Sequence, residues 1–389
     1  MTAPKRVGIL TGGGDVPGLN SVIKSVTYRA TEAGLGVVGI RRGWEGLTHL
    51  RPGTSDPEYV RLLDRQNTRT IDRTGGTILH TSRTNPRRMT STPDWIGADA
   101  LAALANDDGT YDFSSIVNDN LASLGIDVLV TIGGDDTLSF SRALSDTGFP
   151  VVGIPKTMDN DVQGTEYCIG FSSAITRAKE LINRQRTTLG SHERIGVFRI
   201  FGRDAGFSAL FAAYATSTRC LIPEVAYDLE HLCAILTEDR RLSPSRYAIV
   251  VTAEGAIWKG AQLVDIGGID AYGHRHKANV GEALAAEVAE RTGVETLPIE
   301  LTYDLRSGEA DALDQIVAST FANVAMDLVL DGQRGRMVAI RDGKYAEVEL
   351  PPPGGGPRRV DVARLYNSDR FRPRYDGRLG SPLLLASLG

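Results

Sequence analysis

The chain has 389 residues, 41% hydrophobic and 23% charged, with 43 glycines and 17 prolines. That composition excludes a wholly disordered or collagen-like chain, and the length is ample for two domains or one large α/β unit. Forty-three basic against 48 acidic residues leave a formal net charge of −5, without the basic excess of a general nucleic-acid binder. The three cysteines (Cys168, Cys220 and Cys233) form no Cys-x-x-Cys pair, which fits a reducing compartment. The first apolar run, residues 7–10, is too short for a signal peptide or membrane span. No other run reaches the roughly 18 unbroken apolar residues that a membrane helix needs. A soluble, cytoplasmic protein with no membrane or nucleic-acid partner is expected.

In chain order, one local pattern recurs: a short apolar run, a glycine-rich or charged turn, then an amphipathic stretch. Run 7–10 enters TGGGDVPG (11–18) and a predicted helix from Asn20. Run 127–132 enters GGDDT (133–137) and a helix through Leu144, and run 151–154 enters PKTMDND (155–161). Run 195–200 enters FGRDAG (201–206) and a helix over 207–215, and run 247–252 enters AEG (253–255). Near-continuous apolar strands alternating with helices predict a parallel sheet covered on both faces. Ligands in such folds bind beyond the carboxyl ends of the strands, and every polar cluster just named falls at such an end.

Other segments are quieter. Residues 87–124, with Pro93 and the polar run 106–110, read as an inserted helix and loops on the surface. The stretch 265–277 holds Gly267, Gly268, His274 and His276; without carboxylate or cysteine company the histidines read as part of a solvated loop. PPPGGGP (351–357) reads as a loop before a C-terminal extension rich in arginine and aromatic residues, suited to packing or subunit contact.

Three turns carry candidate chemistry. Gly12, Gly13 and Gly14 let backbone approach an anion closely, and the following helix N-terminus offers N–H groups and a positive dipole end. A plain strand-to-helix turn would use the same residues. The spacing is neither GxGxxG nor GxxxxGK[ST], so neither dinucleotide nor P-loop binding follows. In GGDDT, two adjacent carboxylates beside a phosphate repel it unless a cation intervenes, which Mg²⁺ held by one carboxylate and by phosphate oxygens would do. A carboxylate helix cap is the alternative. Asp159 and Asp161, at i and i+2, offer one acid to a metal-bound water and one to a hydroxyl proton, as phosphoryl transfer to an alcohol requires. An Asx-rich turn is the alternative there. Lys156, Arg83, Arg194, Arg203 and Arg306 lie in or near strand-end loops and can offset phosphate charge. Together these residues outline a site for two phosphorylated ligands and a metal.

The motifs GGGDVPGLN (12–20), GGTILHTSR (75–83), GGDDT (133–137), PKTMDND (155–161), IGFSSA (169–174), SHERIGVFRIFGR (191–203) and TAEG (252–255), with a looser TYDLRSG (302–308), fall in one order along the chain. In that order the sequence resembles the 6-phosphofructokinase family, and within it the diphosphate-dependent branch, from about residue 5 to 340. The resemblance implies two similar three-layer α/β/α domains with the active site in the cleft between them. Residues 1–165 and 305–350 would form the phosphoryl-donor domain. Residues 166–304 and 351–389 would form the sugar-phosphate domain and its extension.

It further implies reversible transfer of a phosphoryl group from diphosphate to O1 of fructose 6-phosphate, with Mg²⁺. The alternatives are an ATP-dependent phosphofructokinase and a non-catalytic regulatory subunit of the same fold. Gly13, Gly14, Arg83, Gly134, Asp135, Asp136 and Thr137 would meet the donor, with Asp135 at the metal. Asp159 would be the general base, with Lys156, Asp136 and Asp161 assisting. Thr157, Met158, Asp159, Arg194, Phe201, Gly202, Arg203, Glu254, Tyr303 and Arg306 would meet the sugar phosphate. Arg194 would come from a neighbouring subunit of a homodimer or homotetramer.

Three departures from the family pattern stand out. Phe201 replaces a methionine. Leu297 replaces a basic residue for the 6-phosphate, a loss that Arg291 or the C-terminal arginines would have to cover. Lys24 and Tyr28 replace an arginine pair of allosteric relatives, which argues against nucleotide regulation.

Overall fold

Strand β1 (Arg6–Thr11) sends Val7 and Ile9 into one apolar core and Leu10 into another. That period-two division is what a strand with helices on both faces requires. The computed structural model, which describes residues 4–261 and 279–375, repeats it in the next central strands. After β2 (Gly36–Ile40) and β3 (Val60–Leu63), β4 (Val128–Gly133) points Val128, Val130 and Ile132 to the first core and Leu129 to the second. In β5 (Val151–Pro155), Val152 and Ile154 face the first core and Val151 the second.

A second set of strands follows: β6 (Ile195–Ile200), β7 (Arg219–Leu221), β8 (Ala248–Ala253) and β9 (Thr296–Leu301). The chain then returns to the first sheet with β10 (Arg336–Arg341) and β11 (Lys344–Glu349). The first sheet has the order β11-β10-β5-β4-β1-β2-β3, and the second the order β7-β8-β6-β9. All pairings in the second sheet are parallel. The first sheet departs from the all-parallel expectation at both edges, where β3 and β11 run antiparallel to their neighbours. The cause is local: the turn Asp342-Gly343 closes β10 onto β11 as a hairpin, with Asp342 and Gly343 both at positive φ. The two units are therefore alike in layering and unequal in width.

Helices Leu19–Glu32 and Ala312–Leu330 pack together on one face of the first sheet, and Asp135–Asp146 lies on the other. The chain leaves β1 toward β2 and leaves β4 toward β5, in opposite directions, so the crossover changes sense between β1 and β4. Right-handed crossovers then put successive helices on opposite faces and open a crevice at that point. Helix Ala312–Leu330 is long and apolar enough to cross a membrane by composition, but it buries Val317, Phe321 and Met326 in the protein core.

Two sequence expectations change here. Residues 87–124 are not a surface insertion throughout, because helix Ser114–Ser123 buries Ile116, Val117, Asn120 and Leu121. Asn120 donates to the carbonyls of Leu47 and Leu50 at 2.9 and 2.8 Å, closing the end of helix Trp44–His49. Its polar sequence hid a buried face. Gly267, Gly268, His274 and His276 lie outside the described residues.

Candidate active site

The three sequence turns meet at the carboxyl ends of β1, β4 and β5, which are neighbours in the sheet. Thr137 is wedged between two of them. A Cβ on Gly12 would stand 2.4 Å from Thr137 Oγ1, and one on Gly133 would stand 2.2 Å from Thr137 Cβ. Both distances are impossible for a side chain, so the two turns close up only as glycine. From β5, Lys156 reaches across and donates to the Gly14 carbonyl at 2.6 Å. Lys156 is only 3% exposed. Burial, with Arg306 and Arg83 nearby, lowers its pKa to about 8.

Helix Asp135–Asp146 has Gly134 at its N-cap, so Asp135 and Asp136 occupy the first turn and neither is the cap. Asp135 is pushed up to about 6 by burial and by the charges of Asp136 and Asp161. Across from it, the turn 157–161 carries a coupled acid pair. Asp159 is held well above the usual carboxylate range and Asp161 is raised too, in both cases first by burial; Asp159 also feels Asp161 and Glu254, opposed by Arg306 and Arg203. The Thr157 hydroxyl accepts from the Asp159 amide at 3.1 Å and donates to Asp161, which fixes the spacing of the pair. Among the described residues, neither Asp135 Oδ1 nor Asp159 Oδ1 has a hydrogen-bond partner, although both are buried. Buried carboxylate oxygens without partners are costly in a resting fold and are common where a ligand completes the bonding.

The other wall comes from the second sheet. Phe201 follows β6, and its ring meets Tyr303 edge to face at 6.1 Å between centroids. The Arg306 guanidinium lies 4.6 Å from the Phe201 centroid and 5.6 Å from that of Tyr303. Its Nε donates to Met158 Sδ at 3.4 Å, and a Cβ on Gly14 would come within 3.0 Å of it. Arg306 thus joins the glycine turn, the acid turn and the aromatic pair. Phe201 in place of methionine supplies a ring face for that guanidinium. Gly202 sits at φ +132°, and Arg203 Nε approaches Glu254 Oε1 at 3.6 Å. Arg199, unremarked in the sequence because it lies inside an apolar strand, pairs with Glu254 at 3.1 Å and with Glu300. Its signal was a lone arginine in an otherwise apolar β6.

Not every expected residue joins the cluster. Arg194 precedes β6 and Leu297 opens β9, so both stand at the amino end of the second sheet, opposite Phe201 and Glu254. There Arg194 pairs with Glu295 at 2.6 Å. Arg83 is exposed near Lys156, and Tyr303 is 72% exposed beside Phe201. Arg291 is held by Glu287 and Glu230, and Arg358 is buried behind the acid turn, so neither is presented to a phosphate within its own chain. Lys24 pairs with Asp72 at 2.8 Å, and Tyr28 lies under Arg65.

Among the described residues no group of three or more His, Cys, Asp or Glu side chains could hold a metal by itself. A Mg²⁺ ion asks less, since it keeps water and substrate phosphate oxygens and takes one or two carboxylates. The unpartnered Asp135 Oδ1, crowded by two further acids, fits that single-carboxylate requirement.

The chain is similar to known proteins over most of its length. The family model for phosphofructokinase matches residues 6–329. A pyrophosphate–fructose 6-phosphate 1-phosphotransferase from Amycolatopsis methanolica is 40% identical over 94% of this chain and 99% of its own. An ATP-dependent 6-phosphofructokinase 3 from Streptomyces coelicolor is 38% identical over 89% of this chain and 93% of its own. The solved pyrophosphate-dependent phosphofructokinase from Marinobacter aquaeolei shares the fold with a TM-score of 0.72 at 18% identity, over 95% of this chain and 89% of that one. By the family match and the identity over nearly its whole length, the chain belongs to the phosphofructokinase family.

Proposed function

We propose that this protein transfers a phosphoryl group from diphosphate to O1 of fructose 6-phosphate, giving fructose 1,6-bisphosphate and phosphate, reversibly. The observation that carries the reading is the meeting of the Gly12–Gly14, Gly133–Asp135 and Lys156–Asp161 turns at three adjacent strand ends, with Lys156 bonded to Gly14. Relatives of nearly equal identity carry diphosphate and ATP in their names, so the donor is read from the residues. Lys156 is a buried point charge at the turn assigned to the donor, and Asp136 stands in the first turn of helix Asp135–Asp146, where this reading would bring a nucleotide's further phosphate. Both favour the compact diphosphate.

In this reading residues 1–165 and 305–350 hold the donor, and residues 166–304 with 351–389 hold the sugar phosphate. Gly13, Gly14, Gly134, Thr137 and Arg83 surround the diphosphate. Asp135 would hold Mg²⁺, which when bound would offset charge on the transferring group. Thr157 and Met158 set the acid turn, and Asp159 accepts the proton of the 1-hydroxyl as its oxygen attacks. Asp161 keeps the local charge ordered, and Lys156 faces the negative charge of the moving phosphoryl group. Glu254, Phe201, Gly202 and Arg203 face the sugar, while Tyr303 and Arg306 face its 6-phosphate. Catalysis is then positioning plus electrostatics. The test is formation of fructose 1,6-bisphosphate from diphosphate and fructose 6-phosphate with Mg²⁺, and its abolition by a chelator. Undiminished product with all divalent cation removed would contradict the role given to Asp135.

The pH profile follows from the same groups. Asp159 acts unprotonated, so kcat/KM falls as pH drops through its raised range. Lys156 acts charged, so kcat/KM falls again as pH rises through about 8. A narrow bell with its alkaline limb near 8 is expected, and a rate flat from mildly acidic to strongly alkaline pH would contradict both assignments.

Arg194 is assigned to the 6-phosphate pocket of a neighbouring subunit in a homodimer or homotetramer, which accords with its place at the far end of β6. Mixed oligomers of Arg194→Ala and Asp159→Asn chains should then regain activity that neither parent has. Hybrids shown to form without any rescue would remove that assignment.

A further inference from the structure

The acid turn is held from behind by a residue far away in sequence. Asn160 lies at its centre with φ +54°, a left-handed conformation that few non-glycine residues adopt and that asparagine tolerates best. Its own side chain helps to hold it there. Asn160 Nδ2 donates to the Glu166 carbonyl at 2.9 Å, and Oδ1 accepts from the Cys168 amide at 2.8 Å. Further bonds come from the segment after the PPPGGGP loop. The Arg358 amide donates to the Asp161 carbonyl at 2.6 Å, and Arg358 Nη2 donates to the carbonyls of Asn160 at 2.5 Å and Glu166 at 3.2 Å.

The same guanidinium lies 4.3 Å from the ring centroid of Phe207, the first residue of helix Phe207–Thr216 beside the second sheet. Two residues on, the Val360 amide donates to Glu224 Oε1 at 2.8 Å, and that oxygen also accepts from Gly206 at the N-cap of the same helix. Ser208 in that helix donates to the Met158 carbonyl at 3.0 Å. The strap 358–360 therefore ties the acid turn to the helix that opens the opposite wall.

We propose that Arg358 is a positioning residue for the reaction, its guanidinium fixing the backbone at Asn160 and Glu166 so that the Asp159 carboxylate faces the acceptor hydroxyl. This rests on Asp159 being the general base. Arg358 is 6% exposed, so its guanidinium is costly to bury, and a methionine would cover Phe207 without that cost. What arginine adds is a planar fork whose Nη2 meets two carbonyls at once, one between the two acids and one just after them, where a small displacement matters most.

The test uses the full-length protein with Arg358→Met and Arg358→Lys, measuring kcat, KM for each substrate and Tm. Arg358→Met should lower kcat by about 100-fold while both KM values stay within about threefold, since the turn is displaced and the binding walls are not. Arg358→Lys keeps the charge and loses the fork, and should fall between the two. Wild-type kcat in Arg358→Met, or a loss seen only in Tm, would overturn the proposal. If Arg358→Met does not fold, Arg358→Lys decides: lowered kcat at unchanged KM supports the proposal, and wild-type kcat overturns it. A wild type inactive with both diphosphate and ATP would overturn the functional reading and this proposal with it. An active wild type with unimpaired variants would overturn this proposal alone.

Discussion

Asp159→Asn should reduce turnover by about 10²–10⁴-fold while leaving the affinity for fructose 6-phosphate largely intact. The amide keeps the size of the carboxylate and its place in the turn, including the backbone bond from the Asp159 amide to Thr157 Oγ1. It cannot take the 1-hydroxyl proton. The same substitution makes an independent prediction about stability. Burial and the neighbouring acids raise the Asp159 pKa, so the folded protein prefers its neutral form. The favourable contribution of a raised carboxyl is fully present below its unfolded value, about 4, and is lost as pH rises through the folded value. Asparagine carries no charge at any pH, so the variant's Tm should gain on wild type as pH rises. Activity within a few-fold of wild type, or a Tm difference that does not grow with pH, would count against the buried base.

The donor substitution has the next largest effect. Asp136→Gly should admit ATP measurably and weaken diphosphate catalysis. Two unit charges about 4 Å apart interact by roughly 4 kcal/mol at an effective dielectric near 20, about a thousandfold in binding. On the proposed reading, a carboxylate in the first turn of helix Asp135–Asp146 would penalise a third phosphate heavily, while diphosphate has none to place there. Adding Lys156→Gly removes the buried charge at the donor turn and should depress diphosphate use further. Steady-state kinetics of the single and double variants with each donor check this. An Asp136→Gly protein that still refuses ATP would move donor choice elsewhere in the cleft.

Much of this site was legible because its chemistry lies in short, contiguous turns. GGG, GGDD and PKTMDND announce themselves as glycine and acid where a buried strand must end, and the sheet order brings those ends together. The apolar runs likewise located the central strands, since a strand buried on both faces shows few polar interruptions. What stayed hidden depends on contacts between distant segments. Lys156 is legible as a strand-end cation, but its bond to Gly14, 142 residues away, and the burial that goes with it are not. Arg199 is invisible as a partner of Glu254 until β6 and β8 pair. Arg358 follows a proline-glycine breaker and reads as part of a basic tail, yet its partners are residues 160, 161 and 166. The antiparallel edges of the first sheet were hidden for another reason. Strand direction is set by a two-residue hairpin at 342–343 and by the loop before β3, not by hydrophobic pattern.

The most direct measurement of the central claim is kcat/KM of the unmodified protein for diphosphate and for ATP, each with fructose 6-phosphate and Mg²⁺. Robust turnover with diphosphate, and a preference over ATP of about a thousandfold, is the predicted result. Robust turnover with ATP and none with diphosphate would contradict it.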